Sequence, residues 1–171
     1  MKHLYFVRHG LSEMNKSGHF AGRHTETPLA PEGRAQARAA GEHARNLNID
    51  LIISSPQSRA HDTAKIIAET IGYPVDKIEV NSLFVERGLG VLEGKPWMPD
   101  LNIDGFADVE TTDTLIERMH LAHEFLLAIP HDNVLVVSHG AIGRGLRHIF
   151  HPEIPFAPSP SFKNAEIVQL I

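Results

Sequence analysis

The chain contains no cysteine. A disulfide framework and thiol chemistry are therefore both excluded. No apolar run approaches the roughly 20 residues of a membrane-spanning helix. The first apolar stretch, Leu4 to Val7, is cut at Arg8 and is too short for the core of a signal peptide. A cytoplasmic protein is the expectation. An excess of positive charge is also missing: 16 Lys+Arg stand against 21 Asp+Glu, a net charge of −5. That argues against nucleic acid or an anionic membrane as the main partner, while leaving room for a small basic pocket. The 12 histidines show no HExxH or similar ligand spacing. His43, His61, His120, His123, His148 and His151 are scattered over helical and loop contexts and read as solvated or capping residues. There is no internal repeat, low-complexity tract or linker. With 171 residues, 42% of them hydrophobic, one domain over residues 1–171 is expected.

What is present is an alternation of strand and helix signals. Leu4 to Val7 reads as a buried strand. "PLAPEGRAQARAAGEHARNL" reads as a helix with Pro31 in its first turn. "DLIISS" is a second short strand. "SPQSRAHDTAKIIAETIG" is a helix, with Ser55 expected as its cap, Pro56 at its first position and Gly72 at its end. Its apolar stripe is Ala60, Ala64, Ile67 and Ile71. "KIEVNSLF" is a third, weaker strand. Residues 88–112 have no clear period and hold glycine, proline and acidic residues, so a short acidic loop or cap insertion is expected there. "TDTLIERMHLAHEFLLAI" is a helix with Leu115, Met119, Ala122, Leu126 and Ile129 on its core face. "NVLVVSHG" is a strand, "AIGRGLRHIF" a short helix and "AEIVQLI" a last strand. Continuously apolar strands alternating with helices predict an α/β fold, its mostly parallel sheet covered on both faces.

In such sheets ligands gather beyond the carboxyl ends of the strands. Three ends here are polar: Arg8-His9-Gly10, Ser54-Ser55 with Arg59 in the next helix, and Ser138-His139-Gly140. In a parallel sheet these place two histidines and two arginines about one space. Glu86, in "LFVERGLG", is positioned to join them. A neutral imidazole is a good nucleophile toward phosphorus. Arginine matches phosphate oxygens with a planar fork that never loses its charge. Phosphoryl transfer asks mostly for positioning and charge stabilisation, and a carboxylic acid can protonate the leaving oxygen. Singly, His9 reads as an ordinary strand-end histidine, Arg59 as a helix-surface cation and Glu86 as a surface ion pair. Their matching places favour chemistry. "GLGVLEG" has the spacing GxGxxxG with no helical run behind it, so its glycines read as turn residues. For Lys16, Arg23 and His24, a solvated loop and a role in recognising the leaving group weigh equally.

"FVRHGLSEMN", "SSPQSRAHDTA", "FVERGLGVLEG" and "VLVVSHGAIGR", in this order and each after a strand, resemble the successive motifs of the histidine phosphatase superfamily, the phosphoglycerate mutase-like family. The resemblance runs from Leu4 to about Arg147. It implies a three-layer αβα sandwich around a mixed, mostly parallel sheet of five to six strands. It also implies a phosphohistidine intermediate on His9. Arg8 and Arg59 would bind phosphate, with Asn15 touching phosphate or substrate. His139 would be the second pocket histidine and Glu86 the proton donor. Gly22, Arg23 and Lys95 are further substrate-binding candidates, and neither metal nor cofactor is implied. "ETTDTLIER" resembles the family's ESxxxxxxR segment, with Thr111 in the serine place and read as a helix start. Leu11 stands where the family often has Glu or Gln. Ala30 replaces a capping threonine, at a cost of about 1 kcal/mol at one helix end.

The family contains both phosphatases and mutases. A mutase on bisphosphorylated sugar acids needs several cations around its pocket. Residues 88–112 offer only Lys95, against Glu93, Asp100, Asp104, Asp108 and Glu110. If those carboxylates overhang the site, highly anionic substrates are disfavoured. The expectation is a metal-independent phosphatase acting on a small phosphorylated metabolite. Alternatives are mutase-type transfer, a protein phosphohistidine phosphatase, a non-catalytic phospho-ligand binding module, and a metal-binding protein built on the histidines. The sequence leaves the oligomeric state open.

Overall fold

The computed structural model describes residues 1–171. Five strands form one sheet: β1 His3–Arg8, β2 Leu51–Ser54, β3 Glu79–Val80, β4 Asn133–Ser138 and β5 Ile167–Gln169. Their order is β3-β2-β4-β1-β5, with β5 antiparallel to β1 and all other pairs parallel. The helices are α1 Glu13–Lys16, α2 Pro31–Ala44, α3 Ser58–Ile71, α4 Thr112–Ala128 and α5 Gly140–Phe150.

The strands alternate their side chains between two cores. Leu4, Phe6, Val134 and Val136 pack with Leu115, Met119, Leu126 and Ile142 of α4 and α5. Tyr5, Val7, Leu135 and Val137 pack on the other face with Ala40, Ala44, Ala64 and Ile67 of α2 and α3. Both faces are buried, which is why these strands are apolar throughout. The α2–α3 contact uses small residues: a Cβ on Gly41 would lie 2.5 Å from Thr70 Cβ.

Helix ends follow the local chemistry. Thr111 caps α4, its hydroxyl accepting from the Thr114 amide at 3.2 Å. Gly72 ends α3 in the left-handed region at φ 76°. Ala30 precedes α2 with no side-chain cap. Ser55, expected to cap α3, does not do so. The helix begins at Ser58 behind Gln57, and the Ser55 hydroxyl turns inward to His139. The third strand is also shorter than expected. Only Glu79 and Val80 pair, both exposed at the sheet edge. The Asn81 side chain then accepts from the Leu83 amide at 2.9 Å and starts a tight turn that buries Phe84.

Residues 88–112 carry two single 3₁₀ turns, Gly90–Leu92 and Ile103–Gly105. The first half of this segment is tied to the loop after α1. Phe20 N donates to Lys95 O at 2.9 Å, Gly94 N to Phe20 O at 2.8 Å, and Trp97 N to Gly18 O at 2.7 Å.

Candidate active site

Register brings the polar strand ends level. Arg8 lies opposite Ser138, and Ser54 opposite Val137. His9 and His139, each one residue past its strand, therefore meet. Their rings pack edge to face with centroids 5.2 Å apart. Both are buried, at 2% and 0% exposure.

The His9 backbone is fixed from two sides, its N–H donating to Ser138 O at 2.8 Å and its carbonyl accepting from Asn164 Nδ2 at 2.8 Å. Nδ1 of His9 lies 2.7 Å from Gly10 O. A carbonyl only accepts, so Nδ1 carries the proton and Nε2 keeps its lone pair. The turn behind it is tight. A Cβ on Gly10 would sit 2.4 Å from Gly33 O, and one on Gly33 2.1 Å from Leu11 O. Glycine is required at both positions because backbone meets backbone. Thr63 ties the turn to α3, accepting from Gly10 N at 3.0 Å and donating to Arg59 O at 2.7 Å. On the other ring, His139 Nε2 is 2.8 Å from Ser55 Oγ, while Nδ1 is buried without a protein partner.

Arg59 is fully buried. Its terminal nitrogens donate to the carbonyls of Ala21, Gly22 and Thr25 at 3.1–3.2 Å, while Nε has no partner. Arg8 donates through Nη1 to Phe162 O at 3.0 Å, and its Nε is likewise buried and unpaired. Burial lowers the pKa of both guanidiniums from an ordinary value so high that they stay charged at neutral pH.

Burial also holds both imidazoles well below the ordinary histidine value. Arg59 and Arg8 push His9 the same way; Arg59, His9 and Arg8 act likewise on His139. The folded protein thus refuses two protons that the unfolded chain accepts near pH 6.5. Stability from this source is complete above pH 6.5 and is lost as pH falls below it, by up to about 1.4 kcal/mol per pH unit for each ring. Urea denaturation of wild type and His139→Gln between pH 7 and pH 5 measures this. The variant should show a shallower pH dependence by about one ring's worth. An unchanged slope would mean that His139 is protonated in the fold.

A cavity of about 450 Å³ includes Arg8 in its lining, whereas His9, Arg59 and His139 are buried and do not line it. Arg8, Asn15, Glu86, Arg87, Gly140 and Arg144 line its polar side, and Leu11, Phe20, Leu89, Trp97 and Ile103 its apolar side. Glu86 is held at its backbone: its N–H donates to Gln57 Oε1 at 2.7 Å, and its carbonyl accepts from Arg23 Nε at 3.3 Å. Its Oε1 accepts from the Arg87 amide at 2.8 Å. Glu110 and Arg118 brace the same segment. They pair through two bonds of 2.9 Å. Arg118 also donates to Leu83 O and Val85 O at 2.7 and 2.9 Å, and Glu110 accepts from Gly88 N at 3.1 Å.

Not every candidate reaches the cavity. Arg23 pairs with Glu110 at 2.8 Å and does not line it. Gly22 is a backbone acceptor for Gln57 and Arg59, with Glu93 against its Cα. Lys95 is exposed and lies outside the lining, Lys16 pairs with Glu32, and His24 is exposed with its backbone N–H on Glu93. Asn15 does line the cavity, with one carboxamide atom buried and unpaired. The acidic insertion does not overhang the site with charge. Glu93 is bound to the His24 amide and the Thr25 hydroxyl, Asp104 to Arg87, and Glu110 to Arg118 and Arg23. What residues 88–112 give the cavity is Leu89, Trp97 and Ile103. The electrostatic argument against anionic substrates therefore falls: none of the five carboxylates of the insertion lines the cavity, and Glu93, Asp104 and Glu110 are bound to neighbouring donors. No group of three or more His, Asp or Glu side chains is placed to hold a metal ion.

A model of the histidine phosphatase superfamily (branch 1) matches residues 4–171. The Bacillus subtilis (strain 168) protein named "Uncharacterized phosphatase PhoE" is 36% identical over 148 residues, covering 82% of this chain and 73% of that one. "Probable phosphoglycerate mutase GpmB" of Salmonella arizonae is 36% identical over 155 residues, covering 82% of this chain and 70% of that one. Among solved structures, mycobacterial glucosyl-3-phosphoglycerate phosphatase in complex with VO3 superposes with a TM-score of 0.84 at 25% identity, over 99% of this chain and 92% of that one. With three of the motifs on level strand ends and the match running through nearly the whole sequence, the chain belongs to the histidine phosphatase superfamily, branch 1.

Proposed function

We propose that the protein is a phosphatase that hydrolyses phosphomonoesters of small molecules through a phosphohistidine on His9. The observation that carries this reading is the pair of buried, unpaired guanidine donors, Arg8 Nε at the end of β1 and Arg59 Nε in the first turn of α3, whose charges act on two buried neutral imidazoles. Buried donors without acceptors are rare and call for a ligand. A phosphoryl group supplies the acceptors and the opposite charge. The start of α5 adds to the site: Gly140 is its first residue, and a Cβ there would lie 3.6 Å from Arg8 Nε. A helix N-terminus favours an anion.

In the first step the His9 Nε2 lone pair attacks phosphorus and the phosphorus–oxygen ester bond breaks. Glu86, in its acid form, gives its proton to the leaving oxygen. Arg8 and Arg59 hold the charge of the transferred group, and His139 adds a ring nitrogen beside it. In the second step a water attacks phosphorus, Glu86 takes its proton, and the phosphorus–nitrogen bond breaks to return His9. Asn15 contacts the phosphoryl group or the leaving group from the cavity wall.

Hydrolysis rather than transfer is supported by the cavity's opening, where Trp97 at the rim is 60% exposed and water can follow the departing alcohol. A small ester rather than a protein surface is supported by the wall of Leu89, Trp97 and Ile103, which stands over the site. The names of the relatives include both phosphatase and mutase. Release of inorganic phosphate from alkyl phosphates, with a chelator present, tests the reading. Steady release is expected, because the guanidiniums supply the charge that a metal would otherwise bring. Transfer between two sugar acids without net release would instead make the protein a mutase. Binding without turnover would make it a phospho-ligand module.

A further inference from the structure

Gln57 is the residue just before α3, where a cap would stand, yet its side chain does not cap the helix. It is buried, at 4% exposure, and its carboxamide is bonded to two other segments. Nε2 donates to Gly22 O at 3.0 Å and to Arg23 O at 3.2 Å, and Oε1 accepts from the Glu86 amide at 2.7 Å. Carbonyls only accept and an amide N–H only donates, so the two ends of the carboxamide cannot be exchanged. A buried carboxamide costs free energy unless it is bonded in this way, and an apolar side chain would fill the same space without that demand.

The segments it joins both belong to the site. On one side, Gly22 O also accepts from Arg59 Nη2 at 3.2 Å, so the guanidinium and the carboxamide share a carbonyl. On the other side is Glu86, which lies in neither helix nor strand and has no backbone–backbone hydrogen bond. Its main chain is held by Gln57 at 2.7 Å and, more loosely, by Arg23 Nε at 3.3 Å. The Gln57 main chain is tied in as well, its N–H donating at 3.3 Å to Ser55 Oγ, the hydroxyl that meets His139. Gln57 thus stands two residues from Arg59 and one hydrogen bond from Glu86. It does not line the cavity, so any effect it has on the reaction passes through the groups it holds.

From this arrangement we infer that Gln57 is a positioning residue for proton donation: its carboxamide fixes Glu86 relative to Arg59, and so sets the proton donor against the phosphoryl group that Arg59 holds. Arg59 keeps its place without Gln57, through its own bonds to the carbonyls of Ala21, Gly22 and Thr25. Glu86 has no such independent anchors, and a misplacement of about 1 Å costs on the order of 10²-fold in rate. The inference rests on the phosphatase reading above and on its assignment of Glu86 as the acid.

The test measures kcat and KM for an alkyl phosphate and for nitrophenyl phosphate in wild type, Gln57→Met, Glu86→Gln and the double variant. Methionine matches the length of glutamine and removes all three bonds. It leaves the start of α3 alone, because Ala60 N and His61 N donate to the Gln57 main-chain carbonyl, both at 3.0 Å. Gln57→Met should lower kcat on the alkyl ester by roughly 10–100-fold. On the nitrophenyl ester, which leaves without a proton, the loss should be less than about threefold. KM should stay near wild type for both, since Arg8 and Arg59 keep their partners. In the Glu86→Gln background the same substitution should cost nothing further on the alkyl ester, because the proton to be positioned is gone. Thermal melting accompanies each variant. If Gln57→Met does not melt cooperatively, Gln57→Ser replaces it with the same expected split, since it removes the same bonds and leaves room for water on the freed groups. Equal losses on both esters, or losses that add in full in the double variant, would overturn the inference and leave Gln57 a structural role alone. Equal losses on both esters in Glu86→Gln would sink the acid assignment, and this inference with it. Failure of wild type to release phosphate from either ester would sink the phosphatase reading itself.

Discussion

His9→Ala should lower turnover by at least about 10⁴-fold, as removal of a catalytic nucleophile does. The substitution deletes the ring whose Nε2 lone pair is left free when Gly10 O holds the Nδ1 proton. It leaves the backbone where it is. The bonds to Ser138 O and from Asn164 Nδ2 involve the His9 main chain alone, and Gly10 N stays on Thr63. The fold should therefore survive, as circular dichroism and a cooperative melt would show. Binding of orthophosphate should survive in part, because Arg8 and Arg59 remain. A variant with a tenth of wild-type activity would refute the nucleophile assignment. A variant that fails to melt cooperatively would be replaced by His9→Asn, which keeps a polar group near Gly10 O.

Glu86→Gln should cost roughly 10²–10⁴-fold on an alkyl phosphate and less than about tenfold on nitrophenyl phosphate. The difference follows from the leaving group. An alkoxide leaves badly without a proton, whereas a nitrophenolate leaves well. Glutamine keeps the anchors seen here, since the backbone stays on Gln57 and Arg23 and Oε1 can still accept from the Arg87 amide. Only the transferable proton is gone. Steady-state kcat on the two esters is the measurement. Equal losses on both would mean that Glu86 orients the site, with the proton supplied by water or His139.

Much of this was readable from residue order. Buried strands on both faces of a sheet must be apolar throughout, so Leu4–Val7 and Val134–Val137 announced themselves. Parallel strands place their carboxyl ends together, so Arg8-His9-Gly10, Ser54-Ser55 and Ser138-His139-Gly140 could be expected to converge. The stripe of α4, from Leu115 to Leu126, is buried as its spacing predicts, and so is Ile129 just past the helix end. Thr111 is a cap because a short hydroxyl side chain before a helix finds an orphan amide.

Other features depend on contacts between distant segments. Ser55 had equal local grounds to cap α3, and only the approach of β4 gives it His139 as a partner. Glu93, Asp104 and Glu110 carry the same charge in the sequence as in the fold, but their donors lie up to 87 residues away, as in the Arg23–Glu110 pair. Their neutralisation is invisible until the loops meet. Asn164 reaches the His9 carbonyl from 155 residues downstream and belongs to no motif. Thr63 is the missed residue with a signal, since it stands four places after Arg59 on the same helix face.

Transient phosphorylation of the enzyme tests the phosphohistidine most directly. Wild type mixed with a ³²P-labelled alkyl phosphate and quenched within milliseconds should carry protein-bound label. That label should be lost in acid and retained in base, as a phosphorus–nitrogen bond to imidazole requires, and digestion should place it on the peptide containing His9. Label that survives acid, label on another peptide, or turnover with no trapped label at any quench time would contradict a phosphoryl group passing through His9.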